Sequence, residues 1–324
     1  MKRLACLLMI TAAIRAENVS TFSIVGHDPV KGDWGVAVAS RYFSVGAVVP
    51  WAEAGVGAIA TQANVNVGYG PRGIELLKQG LSAKAVIGRL QAEDKFPGAD
   101  GRQIAVIDGR GGVAALTGSD APRWAGDRQG KTWSAQGNIL VGPGVVEAMG
   151  KAFEATGGEL AEKLFAALKA GDDFGGDARG KQSASMLVVR KGGGRNTNND
   201  RYVYINVDDN PEPIPELRRL LDLNLGLNYQ GRIFRLLAAN QLKEAREDAA
   251  RAVRYMPRSA YPHLVTGLID YSAGNKPAAT AALRKARELD PNVRKQFEGL
   301  AKNREAFRSI LDDQEFLRQV FPAQ

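Results

Sequence analysis

The chain has 324 residues and a formal net charge of +8, but only two histidines and one cysteine. His27 and His263 cannot make a multi-histidine zinc site, and Cys6, alone near the start, leaves the rest of the chain without disulfide or thiol chemistry. The basic excess favours anionic surfaces. Lys and Arg are nonetheless spread along the chain with no zinc finger or aromatic-interleaved motif, so a nucleic-acid partner is not expected.

Residues Met1 to Ala16 read as a secretory signal. Lys2 and Arg3 form a basic start, Leu4 to Ala13 is apolar but too short to span a membrane, and Ala16 is a plausible cleavage site. A buried first helix is the alternative. The expected location is periplasmic or secreted.

Short strand-like runs follow at Thr21–Gly26, Trp34–Ser40, Gly46–Val49 and Gly57–Gln62. The first two are joined by the turn Asp28-Pro29-Val30-Lys31-Gly32-Asp33. Helical spacing predicts Gly70–Lys78 and Ser82–Glu93, the second with Ser82 as N-cap. Strands return at Gln103–Ile107, Val113–Thr117 and Thr132–Gln136, helices at Gly144–Ala155 and Glu159–Ala170, and strands again at Ser183–Arg190 and Arg201–Val207. Helix pairs between groups of strands predict antiparallel sheets covered by helices on both sides. Continuous runs such as Val36-Ala37-Val38-Ala39 suit strands buried on both faces.

The composition changes near Pro211–Pro215, where a domain boundary is expected. Of 37 glycines only five lie after it. Beyond, Ala245, Ala252 and Pro257 recur 34 residues later as Ala279, Ala286 and Pro291. This resembles the tetratricopeptide period, with Gly267 and Gly274 present only in the second copy and Asn292–Leu311 as a capping helix. An ordinary helical hairpin domain is the alternative. The expected division is a signal at 1–16, an α+β domain at 21–210 and an all-α helical domain at 216–324 that binds a peptide or protein partner or packs on the first domain.

Candidate chemistry begins at Thr21. Its hydroxyl heads the first strand, and a threonine whose own α-amine is free can use that amine as base, with no histidine. Ser40 and Arg41 end the strand expected beside it. Asn138 ends another strand and is a candidate oxyanion donor, a turn role being the alternative. Gln62, Asn64, Asn66 and Tyr69 lie in or near a loop where amides orient a substrate or cap the loop. Arg72 is placed either to clamp a carboxylate or to sit as a solvated helix-start charge. Asp208 and Asp209 are weak metal candidates. His27 reads as a turn residue, and no Gly-x-Ser-x-Gly elbow surrounds a serine. Neither a metal nor a cofactor is expected.

Several segments together carry a resemblance: Thr21-Phe22-Ser23-Ile24-Val25, Gly35-Val36-Ala37-Val38-Ala39-Ser40, Val45-Gly46-Ala47-Val48-Val49-Pro50-Trp51-Ala52, Ala60-Thr61-Gln62-Ala63, Tyr69-Gly70-Pro71-Arg72-Gly73, Gln136-Gly137-Asn138-Ile139-Leu140, Arg179-Gly180-Lys181-Gln182-Ser183-Ala184 and Val207-Asp208-Asp209. Over about Thr21 to Leu221 the chain resembles the bacterial family called domain of unknown function 1028, grouped with the Ntn hydrolases. The resemblance implies a four-layer αββα sandwich with Thr21 in the nucleophile's place. The leading expectation is an exported amidohydrolase acting on a small amide or peptide-like bond. The alternative is a non-catalytic envelope protein that binds or assembles through its helical repeats, with a homo-oligomer possible in either case. Two departures stand out. Glu17 to Ser20 still precede Thr21 after a cut at Ala16, and Asn210 replaces the histidine that members often carry after the two aspartates.

Overall fold

The computed structural model describes residues 21–196 and 198–322. The expected signal, with Cys6, lies outside the described residues. Among the described residues ten strands form two antiparallel sheets. Strands β1 (Thr21–Asp28), β2 (Asp33–Ser40), β7 (Gly126–Gln129), β8 (Trp133–Asn138), β9 (Ser183–Arg190) and β10 (Arg201–Val207) make a six-stranded sheet in the order β10-β9-β2-β1-β8-β7. Strands β3 (Pro50–Glu53), β4 (Gly57–Ala63), β5 (Arg102–Asp108) and β6 (Val113–Thr117) make a four-stranded sheet in chain order.

The strand residues alternate between two hydrophobic environments, as a period of two requires. Val25, Val36, Val38, Ala58, Ala60, Ala105, Ile107, Leu187 and Val189 pack together between the sheets. Phe22, Ile24, Ala37, Ala39, Ala135, Met186 and Val188 face outward, against α3 (Gly144–Ala155) and α4 (Leu160–Asp173). On the other sheet Ile59, Ile104 and Val106 face α1 (Tyr69–Lys78) and α2 (Ala83–Glu93). The result is helix, sheet, sheet, helix: an α+β sandwich of four layers. Gly35 lets α4 lie close, because a Cβ there would stand 2.9 Å from the Leu164 side chain. Ser82 caps α2, accepting from the Ala85 amide at 3.3 Å.

Two local differences from the sequence pattern have physical causes. Gly46–Val49 is not a strand. Ser44 adopts φ 55°, a short 3₁₀ turn follows at Val45–Ala47, and pairing begins only at Pro50. A Cβ on Gly46 would lie 2.0 Å from Asn206 Oδ1, so the backbone is pressed against β10. Strand β7 carries no apolar residue and is half exposed at the sheet edge, so it leaves no hydrophobic signal.

The compositional break at Pro211–Pro215 is not a break in packing. Helix α5 (Pro213–Ala238) begins there with proline in its first turn. Its residues Ile214, Leu217, Leu221 and Leu225 complete the core under the large sheet. Farther along the same helix Ile233 enters a second core, with α6 (Leu242–Tyr255), α7 (Ala260–Ser272), α8 (Lys276–Leu289), α9 (Val293–Asn303) and α10 (Gln314–Val320). Ala245, Ala252, Ala279 and Ala286, the repeated alanines, are all fully buried, and Ala245, Ala279 and Ala286 belong to this core. Gly267 permits close contact of α7 with α8, since a Cβ would meet Leu283 at 2.5 Å. The stretch expected as one capping helix is α9 followed by a 3₁₀ segment, Glu305–Leu311. Among the described residues no helix is long and apolar enough to cross a membrane.

A buried charge cluster ties α5 to the sheet. Arg190 at the end of β9 donates to both carboxylate oxygens of Asp33 at 2.6 Å and to Glu159 at 2.9 Å. Tyr229 of α5 donates to Glu159 at 2.6 Å, and Lys31 lies 3.2 Å from it. Burial alone would raise the Glu159 pKa, but the Tyr229 hydroxyl, Arg190 and Lys31 outweigh it and hold the carboxyl below its ordinary 4.5.

Two outcomes follow from this packing. Four buried aliphatic side chains, each worth about 1.5–3 kcal/mol, rival the roughly 5–15 kcal/mol that holds a domain together. A fragment of residues 21–210 should therefore lose cooperative thermal unfolding, whereas residues 21–238 should retain it; a fully stable shorter fragment would contradict this. Glu159 stabilises the fold while ionised, and this contribution is lost as pH falls through its depressed folded-state value. Wild-type stability should fall below about pH 4.5 more steeply than that of Glu159→Gln, read from urea midpoints across pH 3–7.

Candidate functional site

The gap between the sheets has two halves. Away from Thr21 it is filled by the valines and alanines named above. At the Thr21 end the same inward positions of the same strands carry Thr21, Ser23, Ser40, Gln62, Gln103, Ser134, Gln136, Asn138, Ser183 and Ser185, all fully buried. Thr21 pairs in register with Ser40 of β2 on one side and with Asn138 of β8 on the other.

Hydrogen bonds join many of these groups across the gap. Gln103 is the hub. Its Oε1 accepts from Gln62 Nε2 at 2.8 Å and from Asn138 Nδ2 at 3.2 Å. Its Nε2 donates to Thr117 Oγ1 and to the Gly137 carbonyl, both at 2.9 Å. Ser23 donates to Gln62 Oε1 and accepts from Gln136 Nε2, each at 2.6 Å. The Thr21 and Ser40 hydroxyl oxygens stand 3.2 Å apart, and Gln62 Nε2 lies 3.4 Å from the Thr21 carbonyl.

Backbone strain borders this layer. Ala63, after Gln62, has φ 65°, and Ile139, after Asn138, has φ 51°. A β-branched residue rarely occupies that region, and such outliers gather at functional sites. Ile139 is held by donating to the Pro122 carbonyl and accepting from the Ala178 amide, each at 3.0 Å. Beside it, buried Asp177 accepts from the Arg41 amide at 3.0 Å and from the Arg179 amide at 2.8 Å. Arg41 and Arg179 each reach the other's carbonyl at 3.2 Å.

The fold thus brings together Thr21, Ser40, Gln62 and Asn138, with Arg41 just past the end of β2. Asn64, Tyr69 and Arg72 go elsewhere. The Asn64 carbonyl accepts from Arg102 at 2.6 Å and its side chain covers Gly101, a loop-holding role. Tyr69 is buried between α1, α2 and the small sheet, and burial pushes its phenol up. Arg72 forks onto Glu93 at 2.9 and 3.0 Å and reaches Glu75 at 3.2 Å on the outer surface. His27 stacks on Trp34 with centroids 4.5 Å apart. Asp208 accepts from Ser44 at 2.5 Å and Asp209 from Gln182 at 3.1 Å. Among the described residues no group of three His, Cys, Asp or Glu is placed to hold a metal ion.

Ser23, Gln103 and Gln136 were not singled out from sequence. Ser23 and Gln136 carry a signal, polarity at every second place in otherwise apolar strands, as in Ser134-Ala135-Gln136-Gly137-Asn138; Gln103, the one inward polar residue of β5, carries none.

Comparison with known proteins agrees with this architecture. The crystal structure of protein SPO2555 from Silicibacter pomeroyi, assigned to DUF1028, is 31% identical with a TM-score of 0.56, over 62% of this chain and 84% of that one. No curated protein matches the chain. The model of the family described as "Family of unknown function (DUF1028)" matches residues 21–217, more than half of the chain and the whole sandwich. The chain therefore belongs to the DUF1028 family, its sandwich and the first residues of α5 forming the matched unit.

Proposed function

We propose that this protein is an exported amidohydrolase of the N-terminal-nucleophile type, cleaving a small amide or peptide-like bond with Thr21. The observation that carries the reading is the Thr21 hydroxyl, 3.2 Å from Ser40 Oγ at the head of a central strand, inside a layer of side-chain amides. Thr21 Oγ attacks the acyl carbon while its proton passes to the Thr21 α-amine. That amine's ordinary pKa of about 7.7–8.0 leaves much of it neutral near physiological pH. The C–N bond then breaks, the leaving amine takes the proton, and water hydrolyses the ester. Asn138, the strand neighbour of Thr21, is the candidate oxyanion donor. Gln62 orients, and Arg41 is the candidate for an anionic substrate group at the rim.

The mechanism needs a free amine. While Ser20 acylates Thr21, that nitrogen is an amide and cannot act as base. Cleavage of the Ser20–Thr21 bond, by trimming or by attack of Thr21 on its own preceding carbonyl, is therefore part of the proposal. The complete burial of the Thr21 side chain favours the second reading, an envelope binding or assembly protein, for any form in which Thr21 stays internal.

Intact-mass analysis of protein recovered from the compartment in which it matures should find Thr21 first. A β-lactone probe should add one acyl group there, to wild type and Thr21→Ser but not to Thr21→Ala, with the melting temperature of Thr21→Ala little changed. Mature protein that begins before Thr21, or equal labelling of Thr21→Ala, overturns the hydrolase reading in favour of the binding protein.

A further inference from the structure

The far end of the sandwich carries a second feature. Register sets Ser183 of β9 opposite Ser40 and Arg190 opposite Asp33. At about 3.3 Å per residue, Arg190 therefore lies roughly 20 Å or more along the sheet from the Thr21 end. Between the β9–β10 connection and α5 there is a cavity of about 450 Å³. Its charged lining is entirely basic: Arg190, Lys191, Arg195, Arg232 and Arg235. Gly192, Gly193 and Gly194 form part of the wall and leave it free of side chains.

Some of this charge is neutralised from behind. Arg190 is engaged by Asp33 and Glu159, Arg232 by Asp248 at 3.0 Å, and Lys191 only loosely by Asp200 at 3.9 Å. Arg195 and Arg235 have no carboxylate within ion-pair distance among the described residues. Two wall residues also hold buried polar atoms with no hydrogen-bond partner among the described residues: Tyr202 Oη and Asn228 Oδ1. The Asn228 amide is oriented by its Nδ2, which donates to the Tyr202 carbonyl at 2.8 Å. Its oxygen is therefore a spare acceptor. Burial pushes the Tyr202 phenol up to about 12, so it stays a neutral O–H donor. Arg190 stacks over the Tyr202 ring at 3.9 Å.

We propose that this cavity is an anion-binding site for a phosphate monoester of a polyhydroxy compound, separate from the Thr21 layer. The guanidinium groups match phosphate oxygens in shape and charge. A spare donor and a spare acceptor in the same wall match a ligand with both an anionic oxygen and a hydroxyl. A neighbouring cavity of about 360 Å³, which shares Arg232, has Glu159 and Glu162 in its wall and is the poorer anion site for that reason.

The test uses the full chain and titration calorimetry with glycerol 3-phosphate, inorganic phosphate, glycerol and phosphatidylglycerol vesicles. Glycerol 3-phosphate should bind, more tightly than inorganic phosphate, and glycerol should not. Arg195→Ala and Arg235→Ala should each weaken binding about tenfold with unchanged melting curves. Arg308→Ala, which removes the same charge from an exposed position outside the cavity, should not. Binding to vesicles alone, lost in Arg195→Ala and Arg235→Ala, would keep the phosphate chemistry but overturn the small-ester assignment. No binding, or equal weakening by Arg308→Ala, would overturn the site. None of these outcomes depends on hydrolysis at Thr21.

Discussion

Two stacked sheets leave a gap about 10 Å thick that side chains must fill. In this protein half of that gap is polar. The side chains there are fully buried, so each hydroxyl and amide needs a partner, and an unmatched one costs about 1–3 kcal/mol. Gln103 meets the requirement by contacting both sheets: Gln62 and Thr117 belong to its own sheet, Asn138 and Gly137 to the other. That requirement fixes the register of β1, β2 and β8 at their shared end. The register in turn fixes where Thr21 stands. A satisfied polar layer is no more stable than a well-packed apolar one of the same shape, and apolar filling is what the other half of the gap has. The strain at Ala63 and Ile139 adds to the cost at the same end. Retaining both makes sense if the layer serves chemistry.

The opposite end is organised by charge. Arg190, Asp33, Glu159 and Tyr229 join β2, β9, the start of α4 and the middle of α5 in one buried cluster. Breaking such a cluster leaves an uncompensated buried charge, which is the costly event. The cluster therefore commits α5 to the sandwich before that helix turns its second half to the all-α core. The basic cavity lies against the same cluster, so it sits at the junction between the two cores.

Much of this was legible in the sequence. Alternation and turn residues locate eight of the ten described strands to within a few residues, and Ser82 marks a helix start that the structure caps. What escaped did so for identifiable reasons. Strand β7 is polar and at an edge. Gly46 sits in a turn forced by contact with Asn206, which is distant in sequence. The prolines before α5 mark a helix start as readily as a linker, and only the burial of Leu217, Leu221 and Leu225 shows which use applies. At the site, Thr21, Ser40 and Asn138 were legible because they end strands. Gln103 was not, because a lone glutamine in a strand carries no local signal, and its role exists only once two sheets are stacked. Arg72 illustrates the reverse: a plausible clamp in sequence, it is held by Glu93 of the next helix.

The measurement that bears most directly on the polar layer is the urea unfolding free energy of Gln103→Leu. Leucine fills a similar volume but leaves the Gln62 and Asn138 amides and the Gly137 carbonyl without their buried partner. The account predicts a loss of at least about 3 kcal/mol with the fold retained. Unchanged or increased stability would contradict it, because the layer would then hold nothing in place.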